Sequence, residues 1–454
     1  MVHPSRIKRL NNLPPQKGDY VLYWMQQSQR IHYNHALEFA ALKANLLKLP
    51  LVVCFGLTDK FPEANSRHYI FMIEGLQELV SDFEKLGIKF VIRIGSPDNV
   101  CIELAKKAAT VICDMGYLRI QRIWRQTVAN SVNCECIMVE SDAIVPVEAA
   151  SHKQEFSAAT LRPKINKTLN DYLAPQEQVK LNISAKHLKF KSLELHDINK
   201  IISRLGIDTS VPRSKRLSGG YSKARSLLNT FIENKLSRYA LEHSDPAKSC
   251  TSYLSPYLHF GQISPLEVAI KIMQTPPTES RNKFLDQLIV RRELGINFVY
   301  YNPKYDSIES LPSWAYKSLS EHAFDKRPVI YNLEQLEQGL THDPIWNAAQ
   351  IELASTGYMH SYMRMYWAKK LIEWTPDPGI AFSTAVYLNN KYLLDGRDPN
   401  SFAGIAWCFG LHDRPWPERN IFGKVRFMSE TGLKRKFCMD KYIESVNAFK
   451  NNSQ

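Results

Sequence analysis

The residues best able to do chemistry lie in the last 120 residues of the chain. Trp346, Trp367, Trp374, Trp407 and Trp416 fall there, with Tyr358, Tyr362 and Tyr366. Trp367 and Trp374 are seven positions apart, so on one helix they share a face. Indoles at helical spacing usually pack a core. Here they keep polar company: Arg364, Asn389, Asp395, Arg397, Asp398 and Asn400. Rings interleaved with charges and amides point to a cavity that holds a ligand.

Other chemical templates give little. There is no GxxxxGK(S/T) loop and no HExxH pair. His32 and His35 have no third ligand nearby, so they read as polar-face histidines and no metal site is expected. Ser218-Gly219-Gly220 precedes a helical stretch. Such a turn can bind phosphate but is more often a linker. The eight cysteines form no CxxC pair, and Cys54 and Cys113 sit in apolar runs. Buried free thiols in an intracellular protein are expected.

The elements that must position these groups fall into two patterns. Apolar runs at 20–25, 49–57, 88–95, 110–115 and 134–141 alternate with helical stretches, the last near 119–129. Continuous apolar strands separated by helices predict a doubly wound, Rossmann-like parallel sheet of five strands. Between about 150 and 215 the pattern weakens to a polar connector. Beyond Gly220 the spacing is helical: Leu227, Leu228, Phe231, Ile232 and Leu236 repeat on one face. The expected division is an α/β domain at 1–150, a connector at 151–215 and an all-α domain at 216–454.

Length and composition agree. The chain has 454 residues, 44% hydrophobic and 23% charged, which fits two globular domains and excludes disorder. No apolar run is long enough for a membrane helix, and the basic N-terminus lacks the core of a secretory signal. A soluble, intracellular monomer is expected. The formal charge of +13 favours a polyanionic partner, most simply nucleic acid. Lys424, Arg426, Lys434, Arg435 and Lys436 form a dense basic segment.

Several segments resemble the class II cyclobutane pyrimidine dimer photolyases. They are YWMQQSQR at 23–30, HKQEFSAATLRPK at 152–164 and LSPYLHFGQIS at 254–264. The longest are 341–374, LNNKYLLDGRDPNSFAGIAW at 388–407 and HDRPWPERNIFGKVRFMS at 412–429. The resemblance implies an α/β antenna-type domain and a helical domain holding FAD. It implies light-driven electron transfer from reduced FAD to a pyrimidine dimer flipped out of UV-damaged DNA. A second, antenna chromophore such as a deazaflavin is a weaker implication.

By the same resemblance Tyr239, Ser252, Leu254 and Ser255 contact the FAD phosphates, and Arg292 belongs to the cofactor site. Arg364 and Asp395 pair beside the flavin ring, and Asn389 faces its N5. Trp367, Trp346 and Trp374 match the tryptophans that reduce the flavin under light. Arg291, Met365 and Trp407 match dimer-contacting positions. One position departs from the pattern. The family has a glutamate facing the dimer, where this chain has Gln287. An amide can exchange hydrogen bonds but offers no acidic proton. Two functions stay open: dimer repair, and a cryptochrome-like photoreceptor that photoreduces FAD without repair. Repair of (6-4) photoproducts is less favoured, because a second histidine is missing beside His360.

Overall fold

The structure is a computed structural model and describes residues 2–176 and 180–451. The five expected strands are present: β2 (Tyr20–Trp24), β3 (Leu51–Leu57), β4 (Lys89–Ile94), β5 (Ala108–Asp114) and β6 (Glu135–Val139). Every residue of β2, β3 and β5 is buried, because helices cover both faces of the sheet. Those helices are α1 (His35–Leu47), α2 (Ser66–Lys85), α3 (Pro97–Ala105) and α4 (Arg119–Ser131).

The sheet corrects the expectation in one respect. It has a sixth strand, β1 (Ile7–Arg9), antiparallel to β6, and the order is β1-β6-β5-β2-β3-β4. A three-residue strand reading Ile-Lys-Arg carries no apolar run, so hydropathy could not mark it. Its charges suit an exposed sheet edge. The chain winds one way from β2 to β4, then returns to β5 beside β2. The carboxyl ends of β2 and β5 therefore mark the switch point of the sheet.

The connector is less bare than expected. It contains the helices Ala158–Tyr172 and Ile198–Leu205. Leu161 and Ile165 of the first pack in one core with Phe71, Val145, Leu228 and Tyr257. The remainder of the chain is helical, and its largest core gathers Trp346, Trp367 and Trp374. Among the described residues no helix is long and apolar enough to cross a membrane.

Candidate functional site

A cavity of about 630 Å³ opens in the helical part. That is within the range of about 300–1,000 Å³ typical of small-molecule sites. Eleven residues to which the resemblance gave a role line it: Tyr239, Ser252, Leu254, Ser255, Gln287, Arg291, Arg292, Arg364, Met365, Asp395 and Trp407. They come from six segments separated by up to 168 positions of chain (Tyr239 to Trp407). Packing of the helices alone brings them together.

Local chemistry explains how each wall forms. Ser252, Leu254 and Ser255 sit at the entry to the helix Ser255–His259, which has five residues. Hydroxyls and loop N–H groups supply the donors there, because so short a helix has little dipole. Gln287 to Arg291 form a π-helical turn between the helices Glu279–Asp286 and Arg292–Tyr301. The extra residue per turn re-aims side chains, a device frequent at functional sites. Both Gln287 and Arg291 are exposed on the cavity wall. Arg292 donates to the Asp142 carbonyl at 2.5 Å, tying the wall to the end of the sheet.

Arg364 and Asp395 meet across the cavity floor, with Nη2 to Oδ1 at 3.4 Å. The Arg364 Nε is buried and has no partner among the described residues. A guanidinium N–H left bare in a ligand-sized cavity is a vacant donor for a polar ligand. The helix Pro399–Cys408 contributes Gly404, and nothing lies within 4 Å of where a Cβ would sit on it. The backbone there is open to close approach by a flat ring. Gly295 does the opposite job: a Cβ on it would meet Asn400 Oδ1 at 2.8 Å. It lets the helix Arg292–Tyr301 cross tightly against Pro399–Cys408, and both glycines line the cavity.

Asn389 is not on the wall. It is buried, donates to the Ser401 hydroxyl at 2.8 Å and to Asn390 at 3.1 Å. Trp367, Trp346 and Trp374 are also off the wall, at 1%, 0% and 1% exposure. Trp367 lies one helical turn beyond Arg364 on Ser361–Trp374. Its ring stacks on Trp346 with centroids 6.2 Å apart and planes at 9°. Trp346 in turn meets Trp374 edge-on at 5.6 Å. Trp374 touches half-buried Tyr331 at 5.5 Å and exposed His342 at 5.3 Å. The indole N–H of Trp367 donates to Gln350 at 2.9 Å, and that of Trp346 to the Trp367 carbonyl at 3.0 Å. These bonds lock the ring orientations.

Further wall residues were given no role by the resemblance, although Asp398 stood among the polar residues noted in the sequence. His412 lines the cavity, and its Nδ1–H donates to the Phe156 carbonyl at 2.7 Å. Burial lowers its pKa to about 4, and its Nε2 has no partner among the described residues. His243 also lines the cavity, whereas His360 caps the helix Ser361–Trp374 through its bond from the Tyr362 N–H at 3.3 Å. Asp398 lines the wall and bonds His259 at 3.1 Å. Burial pushes the Asp398 carboxyl up, but the bond and charge of His259 hold it below the usual value. His259 lines a smaller cavity, about 80 Å³, with Gln26, Phe55, Trp124 and Arg397 at the carboxyl ends of β2 and β3. Among the described residues no cluster could hold a metal ion.

A ligand-sized cavity with a stack of buried indoles behind it is compatible with a protein that holds a redox cofactor. The comparisons with known proteins sharpen that class. Residues 21–181 match the DNA photolyase family. The chain is 48% identical to a deoxyribodipyrimidine photo-lyase of Methanothermobacter thermautotrophicus over 450 residues, 98% of this chain and 99% of that one. It is 40% identical to the deoxyribodipyrimidine photo-lyase of Arabidopsis thaliana, covering 98% of this chain and 93% of that one. Its fold superposes on a class III photolyase from Agrobacterium tumefaciens with a TM-score of 0.73 at 19% identity, over 95% and 87% of the two chains. The chain belongs to the photolyase/cryptochrome family.

Proposed function

We propose that this protein is a class II deoxyribodipyrimidine photolyase, repairing cyclobutane dimers in UV-damaged DNA with light. The carrying observation is the single cavity that collects Ser252, Ser255, Arg364 and Asp395 with Gln287, Arg291, Met365 and Trp407. Full-length similarity to photo-lyases supports the same reading. The proposed division of labour is an antenna-type domain to about residue 150, a connector to 215 and a catalytic domain beyond.

The cavity fits FAD by volume, by the bare Arg364 Nε and by the open backbone at Gly404. Tyr239, Ser252, Leu254, Ser255 and Arg292 hold the phosphates and ribose side; Arg364 and Asp395 hold the ring. Asn389 orders Ser401 behind the wall. FAD, when bound, supplies the electron that light delivers to the dimer. The chain orients the dimer through Gln287, Met365 and Trp407, and Arg291 meets the DNA phosphates. Trp367, Trp346 and Trp374 carry an electron inward from the surface. A second, antenna chromophore such as a deazaflavin is part of the reading, but the small cavity, at about 80 Å³, is below the usual range for such a group.

The test is repair of a dimer-containing oligonucleotide by purified, FAD-loaded protein, in light and dark arms. Restoration in light only is expected; none in either arm overturns the reading. A second reading has its own observation. The amide of Gln287 stands where a carboxyl would be expected, which favours a photoreceptor that photoreduces but does not repair.

A further inference from the structure

Lysine is almost never fully buried unless it is paired. Lys369, on the helix Ser361–Trp374, is 1% exposed. Its Nζ donates to the Cys408 carbonyl at 2.5 Å, and among the described residues no carboxylate pairs with it. Cys408 is the last residue of the helix Pro399–Cys408, where unpaired carbonyls gather at the negative end of the helix dipole. The ammonium therefore caps that helix from within the core. The same Nζ lies 5.8 Å from the centroid of the Trp407 ring, within the range of a cation–π contact.

The charge has little else to hold it. The groups whose charge reaches it are the Cys408 thiol and Asp413, which favour the cation, and Arg426, which opposes it. On its own helix, Lys370 is spent on Glu373 at 2.8 Å and Tyr366 on Asp343. Burial outweighs the attractions and lowers the Lys369 pKa to about 8. An apolar side chain of similar volume would fill the space without that cost. What the ammonium adds is direction: its bond fixes the last turn of the helix, and its charge draws the indole ring. Trp407 stands on the cavity wall with Met365, which lies one turn before Lys369 on the same helix. Lys369 itself does not line the cavity.

We propose that Lys369 is a positioning residue for repair: its buried ammonium holds the Trp407 ring at the angle the dimer requires, and loss of that charge frees the ring. The proposal rests on the DNA-repair reading and adds to it a residue that acts from behind the wall. Selectivity for the lesion is kept while the amine is protonated. It is lost as pH rises through about 8.

The experiment measures binding of FAD-loaded full chain to a dimer-containing and an undamaged oligonucleotide by fluorescence anisotropy, from about pH 6.5 to about 9.5. The ratio of the two affinities cancels pH effects common to all DNA. In wild type the ratio should fall about 2- to 30-fold across this range, the worth of one cation–ring contact. Lys369→Arg, whose guanidinium stays charged, should keep the ratio level and high. Lys369→Met should give a low, level ratio. Trp407→Leu, which alters only a half-buried wall residue and leaves the core lysine in place, should also give a low, level ratio. Heat-released flavin near the wild-type amount shows that the cavity is intact in each variant. A level ratio in wild type overturns the proposal, as does a fall that persists undiminished in Trp407→Leu or in Lys369→Arg. So does a wild-type profile in Lys369→Met. If wild type prefers the dimer at no pH, the repair reading itself fails, a distinct result.

Discussion

The rings of Trp346 and Trp367 stack with their planes 9° from parallel and their centroids 6.2 Å apart. Each indole N–H is spent on a fixed acceptor, Trp346 on the Trp367 carbonyl and Trp367 on Gln350. The pair is therefore held face to face, and neither ring can rotate without breaking a buried hydrogen bond. From Trp346 the contact continues to Trp374, then to Tyr331 and His342 near solvent. None of the three indoles lines the cavity.

Trp367→Phe should slow light-driven flavin reduction at least tenfold. Flavin content should stay near wild type, because Trp367 does not line the cavity. The loss of flavin absorbance under blue light with a thiol reductant measures the first, and heat-released flavin the second. An unchanged rate would remove the electron route from this stack.

Gln287→Glu should raise repair per absorbed photon several-fold. A hydrogen bond involving a charged group is worth about 1.5–3 kcal/mol, against about 1 kcal/mol for a neutral one. A difference of about 1.4 kcal/mol is about tenfold in rate. The quantum yield on a dimer oligonucleotide reads this directly. If wild type repairs efficiently and the variant is neutral or worse, the dimer does not meet position 287 as argued. If wild type is inactive and the variant repairs, the photoreceptor reading holds for the natural chain.

Gly404→Leu should empty the cavity of flavin while leaving the fold intact. The position is inside a helix, and no protein atom lies within 4 Å of its Cβ direction. A larger side chain therefore projects into the ligand's space. Loss of the interior glycine should leave helix stability equal or higher by up to about 1 kcal/mol. Retained circular dichroism with less than a tenth of wild-type flavin is the expected pair. Full flavin loading would place the ring elsewhere.

The part of the stability carried by two buried carboxyls should fall as pH rises from about 4.5 to 8. Burial pushes the Glu293 carboxyl up to about 8 and that of Glu140 up to about 7. Between the ordinary value and these raised ones, the folded chain holds protons that the unfolded chain has released. Folding is then favoured at the lower pH, and the advantage is lost as pH climbs through each folded value. Glu293 Oε1 accepts from the Ile144 N–H at 2.6 Å and the Val145 N–H at 3.2 Å. Glu293→Gln keeps that acceptor and should flatten the dependence. Denaturant midpoints at several pH values check this; an unchanged slope in the variant assigns the effect elsewhere.

Much of the architecture was legible from order along the chain. The three inner parallel strands, β2, β3 and β5, appeared as apolar runs because burial on both faces leaves no polar alternation to obscure them. The helical segments showed the same way, through apolar spacing at Leu228 and Phe231. The strand Ile7–Arg9 escaped, since its pairing with β6 depends on backbone hydrogen bonds and not on side-chain type. The π-helical turn at Gln287–Arg291 escaped too, because one extra residue in a turn leaves no mark on composition.

The residue types of the site were already fixed by the sequence, as was the motif that named eleven wall residues. What tertiary structure decided was which of them share a cavity. Asn389 is turned toward Ser401, while His412 enters the wall from beyond Trp407 with its tautomer set by the Phe156 carbonyl. The reason is physical. Helical spacing tells which residues share a face, but a cavity forms where several faces fail to close on one another. That depends on crossings such as Gly295 against Asn400, which only the packed helices determine.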